Sequence, residues 1–220
     1  MLDDTKKKKQ KSIFRTLMEN VVFVFIVIYS DNNKVLGQFY IERRRPVSLS
    51  RMPKHLKNAV IAVEDSRFYQ HGPLDYFGIA RALVTNILTG EIRQGGSTIT
   101  QQLARSLFLS RERSLERKLK EAILAGRLEK LYTKDDILEF YLNQIYFGHG
   151  AYGIQSAANT YFGRDVEEIT LPEAAFLAGL PKAPTDYSPY HNPEKAKQRQ
   201  EVVLKRMVEE KYLNEKDYEA

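Results

Sequence analysis

"GGSTITQQLAR", residues 95–105, is the stretch on which the reading of this chain turns. Gly95 and Gly96 let the backbone approach a ligand closely. Ser97 and Thr98 supply hydroxyls, and Gln101 and Gln102 supply amide donors and acceptors. If a helix begins here, its free N–H groups favour an anion such as phosphate. The stretch is not a P-loop, because no Gly-Lys-Ser/Thr follows the glycines. The plainer reading is a flexible loop, "TGEIRQGG" (89–96), entering a helix with an ordinary serine cap.

Upstream lies "NAVIAVEDSRFYQHG", residues 58–72. An apolar run, Ala59 to Val63, stops at two adjacent acids, Glu64 and Asp65, followed closely by Arg67, Phe68, Tyr69 and His71. Pro53 can open a helix over Lys54 to Val63, which sets Glu64 at a helix C-terminus. The helix dipole opposes a negative charge there, burial raises a carboxyl pKa, and a nearby cation lowers it. Such an acid is either a surface group paired with Arg67 or one held for a purpose.

Downstream lies "RERSLERKLKE", residues 111–121. Lys118 and Glu121 stand at i and i+3, and Arg117 and Glu121 at i and i+4, so all three can share a helix face. That face is either a solvated salt-bridge network or a cationic clamp for phosphates. In a clamp, the carboxylate would orient the lysine or hold a divalent cation. Arg105, Arg111 and Arg113 can contribute to it.

The remaining pattern is mostly helical. Tyr76 to Thr89 is nearly all apolar, which fits a buried core helix or a helix dipping into a bilayer surface. "SLERKLKEAILAGRLEKLY" reads as an amphipathic helix with Leu115, Leu119, Ala122, Ile123 and Leu128 on its apolar side. Thr133 with Asp136, and Thr170 with Glu173, have capping-box spacing, and Asn192-Pro193 marks another helix start. At the N-terminus, "KKKKQKSIFRTLMENVVFVFIVIYS" places lysines before an apolar stretch, like the flank of a membrane span. The uninterrupted run, however, is only Val21 to Tyr29, and a spanning helix needs about 20 residues. It is rich in β-branched residues and precedes "SDNNKVLGQFYIE", a turn cluster and a second β-prone segment. Strand and membrane helix both stay open for Val21 to Tyr29. No small-residue cleavage site follows, which argues against a signal peptide.

The length of 220 residues suits one substantial domain. Cysteine is absent, which removes disulfides and thiolate metal sites. The net charge of +6 favours anionic partners, but no nucleic-acid signature accompanies it, so a nucleic-acid partner is not expected.

Each signal is weak alone. In order along one chain, "EDSRFYQH", "GGSTITQQ", "RKLKE", "KDDILEFYLN" and "RQEVVLKRM" strongly resemble the five sequence blocks of the family 51 glycosyltransferases. These are the peptidoglycan glycosyltransferases, found as modules of class A penicillin-binding proteins or as monofunctional enzymes. The resemblance covers roughly residues 28 to 218.

The resemblance implies a mainly α fold, with a lysozyme-like large lobe, a smaller membrane-proximal lobe and a short N-terminal β element. It divides the chain into residues 1–27, a basic N-terminus with a membrane-associated or shortened anchor segment, and residues 28–220, the glycosyltransferase domain. It implies polymerisation of lipid II by β-1,4 linkage with inversion, releasing undecaprenyl pyrophosphate. Glu64 matches the general base. Lys118 matches the lysine that stabilises the departing pyrophosphate. Glu121 matches the second essential carboxylate, acting near the pyrophosphate directly or through Mg²⁺ or Mn²⁺. Asp65, His71, Ser97, Thr98, Gln102, Arg105, Arg113 and Asn143 match positions that line or support the cleft. Arg117, Lys134 and Arg199 belong to the blocks in either structural or functional roles.

The implied partners are lipid II, the growing glycan chain, a membrane lipid surface and the inhibitor moenomycin. The implied location is the outer face of the bacterial cytoplasmic membrane. Near the small lobe, membrane contact becomes the better reading of Tyr76 to Thr89. The competing functions are a lysozyme-like cell-wall hydrolase and a non-catalytic membrane scaffold. No Ser-x-x-Lys occurs in the chain, so the transpeptidase nucleophile motif is missing from it. One departure stands out. The family's first block ends His-x-Gly, whereas here His71 is followed by Gly72 and Pro73, so a different loop geometry is expected.

Overall fold

The computed structural model describes residues 26–29, 35–39, 45–89, 96–108 and 114–219. The chain enters through an antiparallel pair, β1 (Ile26–Tyr29) and β2 (Val35–Phe39), in register Ile26 to Phe39 with an irregularity between Ile28 and Tyr29. The strand reading therefore holds for the last four residues of the N-terminal apolar run. Residues 21–25, the turn at 30–34 and nearly all of the proposed N-terminal segment lie outside the described residues. Among the described residues, no helix is long and apolar enough to cross a membrane.

Helix α1 (Lys54–Glu64) starts after Pro53, whose φ of −57° is already helical, and runs through Glu64 itself. It buries Leu56, Ala59, Val60, Ile61 and Ala62. Next come α2 (Tyr76–Thr89), α3 (Ile99–Phe108), α4 (Leu115–Leu131) and α5 (Lys134–Gln144). Then follow α6 (Ile154–Phe162), α7 (Leu171–Gly179), α8 (Pro193–Glu209) and the short α9 (Glu215–Glu219). Both capping boxes form: the Thr133 N–H donates to Asp136 at 2.9 Å, and the Thr170 N–H to Glu173 at 2.7 Å.

The architecture is mainly α, as expected. α1 packs against α7 and α8, while α3 packs against α4 and α5. One continuous core of buried side chains joins the two groups, from Leu56 and Ile61 through Ile99, Leu103 and Leu138 to Leu177 and Val203. Glu64, at the C-terminal end of α1, therefore looks across at α3.

Two helices bury a different face from the one their periodicity suggests. In α4, Leu115, Leu119 and Ile123 are 91%, 63% and 51% exposed, while Glu121, Ala125 and Leu128 are buried. In α2, Tyr76, Phe77, Val84 and Ile87 are exposed and Ala82 is buried, so this is not a buried core helix. The two helices come together where Ala122 of α4 shares a groove with Pro73, Tyr76 and Phe77.

Candidate active site

A cleft of about 740 Å³ opens at the end of α1, lined among others by Glu64, Ser97, Gln102, Arg105, Lys182 and Arg199. Burial pushes the Glu64 carboxyl above its ordinary range. A hydrogen bond from Gln102 and the charges of Arg199, Arg105 and Lys182 act in the opposite direction. The result is a carboxylate more basic than usual, kept among cations. Gln102 Nε2 donates to Glu64 Oε2 at 2.8 Å, and the Tyr141 hydroxyl donates to Gln102 Oε1 at 3.2 Å.

The neighbouring acid has a different task. Asp65 Oδ2 accepts the backbone N–H of Ile99 at 3.0 Å, at the first turn of α3, and Oδ1 meets His71 Nε2 at 2.7 Å. His71 Nδ1 faces the Gly72 carbonyl. Both partners of the ring are acceptors, an arrangement that favours the charged form, in which both nitrogens donate. Burial alone would lower the His71 pKa, but Asp65 and the Gly72 carbonyl outweigh it and raise the value.

Thr98 and Gln101 form a capping box of their own. The Thr98 N–H donates to Gln101 Oε1 at 3.0 Å, and the Gln101 N–H donates to Thr98 Oγ1 at 3.1 Å. Thr98 Oγ1 in turn donates to the Pro73 carbonyl at 2.9 Å. The helix start that could have held a phosphate is thus filled by the protein's own groups, Asp65 and Thr98. The cap is the threonine, not the serine. The turn after His71 is settled by the same bond to Pro73. Gly72 does not have positive φ, and a Cβ there would meet nothing within 4 Å, so its shifted position imposes no backbone demand. At Gly96, by contrast, a Cβ would lie 3.1 Å from the Ile79 side chain and 3.2 Å from its Cα, so glycine allows α2 to approach.

The third block reaches the cleft through Ser97. Lys118 Nζ donates to Ser97 Oγ at 2.6 Å and to Glu121 Oε2 at 2.8 Å. Arg117 NH1 pairs with Glu121 Oε1. Ser97 therefore belongs both to the cleft and to the lysine. Glu121 is 1% exposed with a cation on each oxygen. That donor set does not suit Mg²⁺ or Mn²⁺, which would have to displace two positive charges from a single buried carboxylate. Elsewhere among the described residues, Asp65, His71 and Asp75 lie close enough together to hold an ion. Their ligand atoms are already engaged with one another, with the Ile99 N–H and with Arg67.

Arg113 and Gly95 lie outside the described residues. Asn143 is not brought to the cleft. It accepts from the Val47 N–H at 2.9 Å and donates to the carbonyls of Val47 and Glu139 at 2.8 and 2.9 Å. It ties the incoming chain to α5. Lys134 braces the first block, with Nζ 2.7 Å from Glu129 and 4.6 Å from the Phe68 ring centroid. Arg199 is in the cleft beside Glu64, and its Nε donates to the Gly179 carbonyl at 3.2 Å. Two participants went unmarked in the sequence, Lys182 and Tyr141. Tyr141 could have been suspected as a polar-tipped aromatic on an otherwise apolar helix face, where the hydroxyl needs a partner.

Comparison with known proteins points the same way. A family model described as "Transglycosylase" matches residues 32–208. Penicillin-binding protein 1A of Aquifex aeolicus is 51% identical over 192 residues, covering 87% of this chain and 26% of that protein. The Vibrio cholerae penicillin-binding protein 1A is 48% identical over 193 residues, covering 88% of this chain and 23% of its own length. The crystal structure of penicillin-binding protein 1A from Haemophilus influenzae aligns with a TM-score of 0.53 at 28% identity, over 90% of this chain and 20% of that one. The chain thus spans about a quarter of the length of the curated relatives it matches.

Proposed function

The chain belongs to the transglycosylase family, the peptidoglycan glycosyltransferases, and from that premise we propose that its cleft polymerises lipid II into β-1,4-linked glycan. The observation that carries this reading is the placing of Glu64. It is half-buried, raised in pKa and hydrogen-bonded on one oxygen, in the same cleft as the serine that Lys118 touches. A general base works best when its pKa approaches the working pH, and desolvation moves Glu64 that way.

In this reading the 4-hydroxyl of the incoming GlcNAc attacks the anomeric carbon of the donor's terminal MurNAc. Glu64 takes the hydroxyl proton. The bond from the anomeric carbon to the lipid pyrophosphate breaks on the opposite face, which inverts the configuration. The leaving group keeps the electron pair and is met by Lys118. Glu121 acts by holding Lys118 and Arg117 in place, and no step is assigned to a metal ion. Pyrophosphate departs with little protonation when cations are near, so no second carboxyl acid is needed. Exposed side chains of α2 and α4 would rest on the lipid surface from which the substrate comes. In this reading the domain works on the outer face of the cytoplasmic membrane, where the family is expected to act. Moenomycin would compete for the same cleft.

The test is lipid II polymerisation by wild type and Glu64→Gln, with melting temperature as a control. The variant is expected to fold and to lose at least about a hundredfold in rate. Unchanged activity removes the base assignment. Clearing of intact cell wall without lengthening of lipid II replaces the polymerase with a hydrolase.

A further inference from the structure

The proposed base is held on one side by an arrangement that reaches into the core of the molecule. Glu64 Oε2 accepts from Gln102 Nε2 at 2.8 Å. Gln102 Oε1 accepts from the hydroxyl of Tyr141 at 3.2 Å. Tyr141 is 1% exposed, on the face of α5 that packs against α3. An amide has two ends of similar shape and opposite polarity. The ionised carboxylate of Glu64 can only accept, so the NH₂ end of the amide faces it. The carbonyl end then faces Tyr141, whose hydroxyl donates to it and holds the amide in that orientation.

We propose that Tyr141 is a positioning residue for the base: its hydroxyl fixes the Gln102 amide, the amide holds Oε2 of Glu64, and Oε1 becomes the oxygen that takes the acceptor's proton. Among the described residues no hydrogen bond is made to Oε1. The inference rests on the proposed role of Glu64. The balance of the step is unchanged by it. The hydroxyl proton goes to Oε1, the oxygen bonds to the anomeric carbon, and the pyrophosphate leaves with its electron pair.

The rest of the environment is consistent with a fixed donor. Burial drives the Tyr141 phenol well above its ordinary range, so it stays protonated wherever the reaction runs. Glu64 is faced by Arg105 from α3, Lys182 from the turn after α7 and Arg199 from α8, with Asp65 beside it in the chain. These cations act on the charge of the carboxylate as a whole. Among the described residues, the hydrogen bond from the amide falls on Oε2.

The experiment compares wild type, Tyr141→Phe, Gln102→Met, the double variant and Glu64→Gln in lipid II polymerisation, each over a pH series and each with a melting curve. Tyr141→Phe should lower kcat by about three- to tenfold, the value of one buried hydrogen bond, with KM little changed. The acid limb of its pH profile should move upward, because a loosened amide stabilises the carboxylate less. On the Gln102→Met background the same change should cost less than about twofold, since the path is already cut. A wild-type kcat and acid limb in Tyr141→Phe, or full additivity in the double variant, overturns the positioning role. If Tyr141→Phe does not fold, Gln102→Met decides, and an unshifted acid limb there overturns it equally. Retained activity in Glu64→Gln is a different failure, removing the base itself. Loss in Glu64→Gln beside wild-type behaviour in Tyr141→Phe removes only the relay.

Discussion

His71 shows how a side chain can sit beside a reaction and be spent on structure. With a carboxylate on one nitrogen and a carbonyl on the other, the folded state favours its charged form. Its folded pKa lies above the unfolded value of about 6.5. The stabilisation is therefore complete below about pH 6.5 and is lost as pH rises through the higher folded value. Wild type should exceed His71→Gln in melting temperature by a wider margin at pH 6 than at pH 9, and equal margins would refute the imidazolium. At this scale the sequence marked the acids and the lysine as candidates. Glu64, Lys118 and Glu121 stand in blocks whose order was readable. The pairing of Glu121 with Lys118 and Arg117 was readable too, from their spacing on one helix. The partners of Glu64 were not, because Gln102 lies 38 residues from Glu64 and Tyr141 a further 39 from Gln102. Only the packing of α1, α3 and α5 brings them into contact.

Helix α4 carries the clearest mismatch between pattern and burial. Its apolar residues recur at helical spacing along one side. In the fold Leu128 of that side is buried, but Leu115, Leu119 and Ile123 are exposed, and an acid, Glu121, is buried with Ala125. A periodic apolar face reveals that one side of a helix avoids water, but not whether protein or lipid covers it. Lipid is the covering favoured by the proposed function. Replacing Leu115, Leu119 and Ile123 together by glutamine should weaken co-sedimentation with anionic phospholipid vesicles several-fold while leaving the melting temperature within about 3 °C, since exposed sites contribute little stability. Unaltered vesicle binding, or a large loss of stability, would argue that the stripe is not a lipid-facing surface. The helix starts were legible for a different reason. Thr133 with Asp136 and Thr170 with Glu173 are local signals, complete within four residues, and both are realised.

Across the whole molecule, the helical class and most of the helices followed from periodicity and capping, α6 and α9 excepted, whereas the assembly of a single cleft did not. Asn143 marks that boundary. Its block was recognisable, but its work is to fasten Val47 to α5, away from Glu64. Asn143→Ala should cost about 2 kcal/mol, from the loss of three part-buried hydrogen bonds, and lower the melting temperature by roughly 4–8 °C. Below that temperature KM for lipid II should be unchanged, and a selective rise in KM would return Asn143 to the substrate. The bonds from Asp65 to Ile99 and from Thr98 to Pro73 have a wider meaning. They tie Asp65 and Pro73, before α2, to Ile99 and Thr98, at the start of α3, so the chain is fastened together on both sides of α2. Because the cost of closing a loop grows only logarithmically with its length, the segment between those ties can be lengthened, shortened or rewritten with small energetic consequence. The exposed apolar side chains of α2 can thereby be rewritten while Glu64 and its hydrogen-bond partners are held constant.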